Sequence, residues 1–241
     1  MIDNMKVAVL IAAAGMSNRM KSDINKTFIK IDGKPVLAHA IQKFEDCDYI
    51  DDIYVIAREE EVDYVWEHII GESDFFKVKD VIAGGNTRQK SIKNGLNRLP
   101  DDVDVLLTHD GARPFIHIET IESSLEELMV KRAVCVGVPV KDTIKMTIDD
   151  GSEIVHLTPK RSLLWQAQSP QVFMAEDLRR AYVYAAREGI EATDDSSLVE
   201  KIGIPVTMVM GSYDNIKITT PEDLIIAELF AKSSEGDKDE L

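Results

Sequence analysis

Cysteine is nearly absent from the chain: Cys47 and Cys135 are the only two in 241 residues. They are too few and too far apart for a disulfide framework or a zinc site. Cys135 falls in the apolar run 133–138, where a thiol serves as a small buried hydrophobe. Long hydrophobic runs are missing too. Nothing approaches the ~20 apolar residues that span a bilayer, and the apolar stretch at 7–14 has no basic segment ahead of it, so a soluble, cytoplasmic protein is expected. Positive charge is in short supply: 28 Lys and Arg against 43 Asp and Glu give a net charge of −15. Binding to nucleic acid or an anionic membrane draws on excess cations, so neither is expected as a partner. A small anion remains a candidate ligand where the few cations gather beside a loop, with a divalent metal to share the charge.

The common nucleotide signatures are also lacking. Residues 15–19, Gly-Met-Ser-Asn-Arg, fit neither G-x-G-x-x-G nor G-x-x-x-x-G-K-[ST], which argues against a dehydrogenase and a P-loop ATPase. What is there instead is an apolar run, β-branched at Val7, Val9 and Ile11, that stops at Gly15 and is followed by Arg19 and Lys26. Such a run is a buried parallel strand emptying into a loop. Ala13, Ala14 and Gly15 let a ligand lie against backbone amides, and Arg19 and Lys26 add charge. A tight strand-to-helix turn with two solvated cations fits these residues as well, and both readings stand at this point.

Apolar runs at 6–14, 53–57, 78–83, 103–108 and 134–140 alternate with segments of helical period at 36–44, 88–99 and 118–131. This alternation predicts an α/β fold, a mostly parallel Rossmann-like sheet with helices on both faces, in one domain over 1–232. Thr87 is placed to cap the second helix, and Pro221 to open one over 224–232. Residues 143–148 and 154–157 flank the turn Asp149-Asp150-Gly151-Ser152 and predict a β-hairpin projecting as an arm over about 141–160. A lone hairpin wants a partner, either a second copy of the chain or the arm's own active site. Residues 233–241 are expected to form a disordered acidic tail. Its last four residues, Lys238-Asp239-Glu240-Leu241, match an endoplasmic-reticulum retention signal that has no meaning without a secretory leader.

Ligands of open α/β sheets sit beyond the carboxyl ends of the strands. Those positions hold Gly15, Arg19 and Lys26; Gly84, Gly85, Asn86, Arg88 and Ser91; Asp110, Gly111 and Arg113; and Lys141 to Thr143. Asp110 offers a hard oxygen to magnesium, and is equally suited to an Asx-turn or a helix cap. Of the histidines only His109 lies near this edge. Arg161 to Gln171 forms a polar loop, 193–197 is a capping cluster or a site wall, and Lys217 between two isoleucines suits a position facing an anion.

Taken in order, Ala13-Ala14-Gly15, Arg19-Met20, Lys26, Gly85, Arg88, Ser91, Asn94-Gly95-Leu96, His109 to Pro114, Pro139-Val140, Asp142 to Lys145, Arg161, Trp165, Pro170-Gln171, Thr193-Asp194 and Asp214 to Lys217 resemble one family closely. It is the 2-C-methyl-D-erythritol 4-phosphate cytidylyltransferases of the non-mevalonate isoprenoid route. The resemblance implies a nucleotide-diphospho-sugar-transferase-like fold, CTP and Mg²⁺ as ligands, and a homodimer joined through the arm. It implies that Ala13, Ala14, Gly15 and Lys26 wrap the triphosphate, with Arg19 and Lys26 steadying the transferring group. Gly84, Gly85, Asn86 and Ser91 would read cytosine, Gly111 would support the nucleotide, and Asp110 would hold magnesium. Arg161 and Lys217 would position the acceptor phosphate, Ser169 and Thr193 would contact the acceptor, and Arg113 and Thr143 would come from the partner subunit. Two departures stand out: Asn25 and Thr27 flank Lys26 where the family often has Pro and Gln, and Ser169 replaces a common threonine. The alternatives are a ribitol 5-phosphate cytidylyltransferase and a non-catalytic nucleotide-binding protein on the same fold.

Overall fold

Strand β1 (Val7–Ala12) is buried on both faces, and its alternation divides the core in two. Val7, Val9 and Ile11 face one layer of helices, and Ala8 and Leu10 face the other. The first layer contains α1 (Val36–Glu45) and α4 (Ile118–Val130), through Leu37, Ile41, Phe44, Ile121 and Leu125. The second contains α3 (Arg88–Arg98), α5 (Ala175–Glu188) and α6 (Asp195–Lys201), through Ile92, Leu96, Leu178, Ala181 and Leu198. A continuous apolar strand between two helical layers is what the runs of Val, Ile and Leu require. The computed structural model describes residues 2, 4–15 and 25–236.

The other strands of the main sheet are β4 (Asp52–Ala57), β5 (Val78–Ala83), β6 (Val105–Asp110), β7 (Ala133–Pro139), β10 (Trp165–Met174) and β11 (Thr207–Met210), in the order β11-β7-β10-β6-β1-β4-β5. All pairings are parallel except those of β10, which runs antiparallel to both β6 and β7. Thus β1, β4, β5 and β6 all end at one edge. A small hairpin of β2 (Lys30–Ile31) and β3 (Lys34–Pro35) leads into α1, and the short α2 (Val62–Val65) follows β4. Thr87 caps α3 by accepting from the Lys90 amide at 3.1 Å.

The predicted arm is present. β8 (Met146–Thr147) and β9 (Val155–Leu157) pair antiparallel, and every residue from 141 to 158 is exposed. Two expectations are corrected. Residues 165–171 are part of β10 and not a loop. Their polar sequence hides the strand, and Pro170, which donates no ladder bond, sits where the register shifts between Ala167 and Gln171. The last helix, α7 (Pro221–Gly236), runs four residues into the segment expected to be tail, while 237–241 lie outside the described residues.

Leu10 is fully buried between β-neighbours and α3. Leu10→Ala should lower stability by about 2–5 kcal/mol in urea denaturation, the range for a core leucine. Val183→Ala on the exposed face of α5 should change it by no more than about 0.5 kcal/mol.

Candidate active site

The shared strand edge encloses a cavity of about 370 Å³ lined by the β1 loop (Ala12 to Gly15), Lys26 and Thr27, Arg58 after β4, Gly85 to Arg88 with Ser91 after β5, Asp110 and Ala112 after β6, and Lys217. A larger groove of about 790 Å³ lies beside α1, but it holds none of these strand-end residues. The smaller cavity is where the fold concentrates the chemistry.

Its walls depend on close backbone approach. A Cβ on Gly84 would come within 2.6 Å of the Ala14 Cβ and 2.9 Å of the Ser91 Oγ, and one on Gly85 within 2.5 Å of the Lys90 Cβ. Only glycine lets the 84–87 loop lie against both β1 and α3. Ser91 locks that loop, donating to Thr87 O at 2.9 Å and accepting from the Gly85 amide at 3.0 Å. Gly111 lies behind the β1 loop, its amide donating to Ala12 O at 2.9 Å.

Asp110 closes β6 and gathers three cations: Lys217 Nζ at 2.9 Å, Arg88 Nε at 3.3 Å and Arg113 Nε at 3.5 Å. Burial alone would raise its carboxyl, but Arg88, Lys217 and Arg113 together hold it far below the usual carboxylate range. Arg88 in turn pairs with buried Asp195 at 2.8 Å, and Tyr182 donates its hydroxyl to the same carboxylate. Among the described residues lining the cavity, Lys26, Arg58, Arg88 and Lys217 are cationic and Asp110 alone is acidic.

Beneath Asp110 lies His109, fully buried against the edge of Phe44. Its Nε2 bonds Arg113 O at 3.0 Å, and a carbonyl only accepts, so the proton sits on Nε2. Nδ1 therefore accepts from the Ser169 hydroxyl at 3.0 Å, and that oxygen accepts from the Asp110 amide at 3.0 Å. Burial pushes the imidazole down to about 4, so it is neutral near pH 7.

The structure brings together Ala13, Ala14, Gly15, Lys26, Gly85, Asn86, Ser91, Asp110 and Lys217, with Gly84 immediately behind. Other expectations change. Arg113 is 8% exposed, donates to Asn215 O at 2.7 Å and braces Asp110 of its own chain, a place different from the exposed one expected of a partner's residue. Ser169 is likewise buried beneath Asp110, without a face toward an acceptor. Thr193 lines a neighbouring cavity of about 480 Å³ with Thr87, Arg88 and Tyr182. The neighbouring Asp194 acts as the cap of α6, accepting from the Ser197 amide at 3.1 Å. Thr143 and Arg161 sit exposed on the arm, where Arg161 Nη1 donates to Lys141 O at 2.9 Å. Arg19 lies outside the described residues. Arg58 is a site residue that the sequence did not announce, and Arg88, a strand-end candidate without a role, joins the site as a partner of Asp110. Arg58 directly follows β4, so its place at a strand end is the signal that could have found it.

Residues 7–233 match the sequence profile of the family described as IspD: 2-C-methyl-D-erythritol 4-phosphate cytidylyltransferase. The chain is 48% identical over 236 residues to a 2-C-methyl-D-erythritol 4-phosphate cytidylyltransferase of Geotalea uraniireducens (strain Rf4), covering 97% of this chain and 100% of that one. It is 48% identical over 231 residues to that of Clostridioides difficile (strain 630), covering 96% of each. Its fold is similar to the crystal structure of 4-diphosphocytidyl-2C-methyl-D-erythritol synthase from Anaerococcus prevotii DSM 20548, with a TM-score of 0.84 at 30% identity over 95% of this chain and 100% of that one.

His109 ties stability to pH. An unfolded histidine titrates near 6.5, so between about 6.5 and 4 the unfolded chain takes up a proton that the folded chain refuses. The stabilisation is complete above about pH 6.5 and is lost as pH falls toward 4. It amounts to about 3 kcal/mol. Denaturant titrations at pH 7 and pH 4 should show wild type losing about that much more stability than His109→Gln. An equal loss in both proteins would mean that this imidazole is charged in the fold.

Proposed function

The chain belongs to the 2-C-methyl-D-erythritol 4-phosphate cytidylyltransferase family, and we propose that the strand-edge cavity is the site of its reaction. The enzyme moves CMP from CTP to the phosphate of 2-C-methyl-D-erythritol 4-phosphate, giving 4-diphosphocytidyl-2-C-methyl-D-erythritol and pyrophosphate, a step of isoprenoid precursor synthesis. The observation that carries the site assignment is that, among the described residues, four cations, Lys26, Arg58, Arg88 and Lys217, line one cavity with a single carboxylate, in a chain whose net charge is −15. A positive cleft on an acidic protein concentrates polyphosphate where the surface repels it.

No side-chain base is needed. The second pKa of a phosphate monoester is about 6, so the acceptor is largely a dianion near pH 7. One of its oxygens attacks the α-phosphorus as the bond from that phosphorus to the bridging oxygen of pyrophosphate breaks, and the departing oxygen carries the electron pair away. Positioning and charge neutralisation then do the work. In this reading Lys26, with Arg19, meets charge on the departing pyrophosphate, Lys217 orients the acceptor phosphate, and Gly84, Gly85, Asn86 and Ser91 present backbone and hydroxyl groups to cytosine.

Asp110 would hold Mg²⁺. Among the described residues no three His, Cys, Asp or Glu side chains converge as a metal cage. One carboxylate facing a phosphate site fits magnesium, which keeps waters and takes substrate oxygens for the rest of its shell. When bound, the ion neutralises triphosphate charge.

The same reading takes residues 1–232 as one cytidylyltransferase domain and the arm as a dimer contact. Ile144, Met146, Ile148, Ile154, Val155 and Leu157 are all exposed on a two-stranded hairpin that is too small to hold itself. Thr143 and Arg161, at the root of this arm, would then serve the partner's acceptor pocket. No helix among the described residues is long and apolar enough to cross a membrane. The use of CTP supports a cytoplasmic location.

Lys26→Ala and Arg19→Ala should each lower kcat about 100-fold with little change in CTP binding, as loss of one contact to transition-state charge costs about 3 kcal/mol. Pyrophosphate release should be fast with methylerythritol phosphate and slow with ribitol 5-phosphate. Unchanged kcat in both variants would remove the first loop from the chemistry. Mixing Arg161→Ala and Lys217→Ala chains under subunit exchange should restore about a quarter of wild-type activity, since half the dimers are mixed and each has one intact site. No recovery despite verified exchange would make the arm a flap over its own subunit.

A further inference from the structure

Lys26 opens a single turn of 3₁₀ helix, Lys26–Phe28, whose entry residue Asn25 holds φ −58° and ψ 123°. Proline imposes that φ by ring closure, and asparagine does not. Here side-chain bonds impose it. Asn25 is 2% exposed, and its Oδ1 accepts from the Thr27 amide at 3.1 Å and the Thr27 hydroxyl at 2.9 Å. Its Nδ2 donates to Ala13 O at 3.1 Å and to Glu61 Oε2 at 2.8 Å. The other oxygen of Glu61 pairs with Arg58 Nη2 at 3.0 Å, and the Ala13 amide donates to Ile56 O at 2.8 Å. One amide side chain thus joins Ala13 after β1, the Lys26 turn and the turn at Glu61 that follows β4.

On the reading that Lys26 meets charge in the transition state, we propose that Glu61 is a positioning residue for Lys26, acting through Asn25. Glu61 does not itself line the cavity. It fixes the Asn25 amide so that Nδ2 faces Ala13 and Glu61 while Oδ1 faces Thr27, and this orientation sets the dihedral from which Lys26 departs. Without the acceptor at Glu61, one donor of a buried amide is unmet, and only the bonds to Ala13 and Thr27 are left to hold the amide in its orientation. A displacement of about 1 Å at a charge-stabilising group is enough to cost orders of magnitude in rate.

The test is a cycle of steady-state kinetics on the full-length enzyme with CTP and methylerythritol phosphate. Glu61→Ala should lower kcat about tenfold or more while the KM for CTP stays within about threefold. Glu61→Gln, which keeps a carbonyl oxygen for Asn25, should lose less. Asn25→Pro supplies the dihedral without the amide, so Glu61→Ala placed on Asn25→Pro should cause less than a twofold further loss. An unchanged kcat in Glu61→Ala, or the same tenfold loss in the proline background, overturns the proposal. Lys26→Ala run alongside separates the two readings. If it is impaired while Glu61→Ala is not, the positioning role alone fails; if it retains full turnover, the Lys26 assignment fails and takes the positioning role with it.

Discussion

Asp110 ends β6 with its carboxylate held by Lys217 at 2.9 Å, Arg88 at 3.3 Å and Arg113 at 3.5 Å, and every other part of the site is arranged around that meeting of charges. Three cations this close repel one another unless an anion lies between them, and Arg113 is too deeply buried for water to take that part. Each cation is anchored by a different stretch of chain: Arg88 to Asp195 of α6, Arg113 to the backbone of Asn215, and Lys217 by its place before α7. The carboxylate therefore fastens the segment after β11 to the loops after β5 and β6. The same arrangement leaves the cations ready for phosphate oxygens.

The sheet makes this possible. Parallel pairing of β1, β4, β5 and β6 brings four strand ends to one edge, so residues far apart in sequence share a cavity without any long loop. Antiparallel β10 inserts between β6 and β7 and carries Ser169 beneath Asp110 and Gln171 to the amides of Asp195 and Ser196. The backbone of Asp110 is thus held from below through Ser169 and His109, while its carboxylate is held from above. A neutral, fully hydrogen-bonded imidazole is a better support there than a charged one, which would crowd a fourth positive group under the three.

Much of this was legible in the sequence because buried strands and amphipathic helices have distinct periods. The runs around Val9, Val55, Val81, Leu107 and Cys135 became strands, and Thr87 became a cap. β10 was not legible, since Trp165 to Gln171 is polar and carries a proline, and its burial comes from neighbours on both sides. Most residues read from strand ends met in one cavity, but Arg113 and Thr143, read the same way, did not, and roles carried over by resemblance fared less evenly. Arg113 and Ser169 turn inward to Asp110, and Thr193 faces a different cavity. Direction of a side chain is a tertiary property that a motif does not carry. The Asn25–Glu61 bond joins residues 36 apart in sequence, and no local pattern announces it.

On the proposed function, the Asp110 carboxylate stands in the cation cluster where an anionic ligand would bind and would also be the protein's ligand to magnesium. Calorimetric titration of wild type and Asp110→Asn, with pyrophosphate in the presence of chelator and with Mg²⁺–CTP, tests it directly. Opposite signs are expected: without the carboxylate, metal-free pyrophosphate binds more tightly because Lys217 and Arg88, which line the cavity, are released to it, while Mg²⁺–CTP binds more weakly. Weaker binding of both ligands, or no change in either, would contradict it.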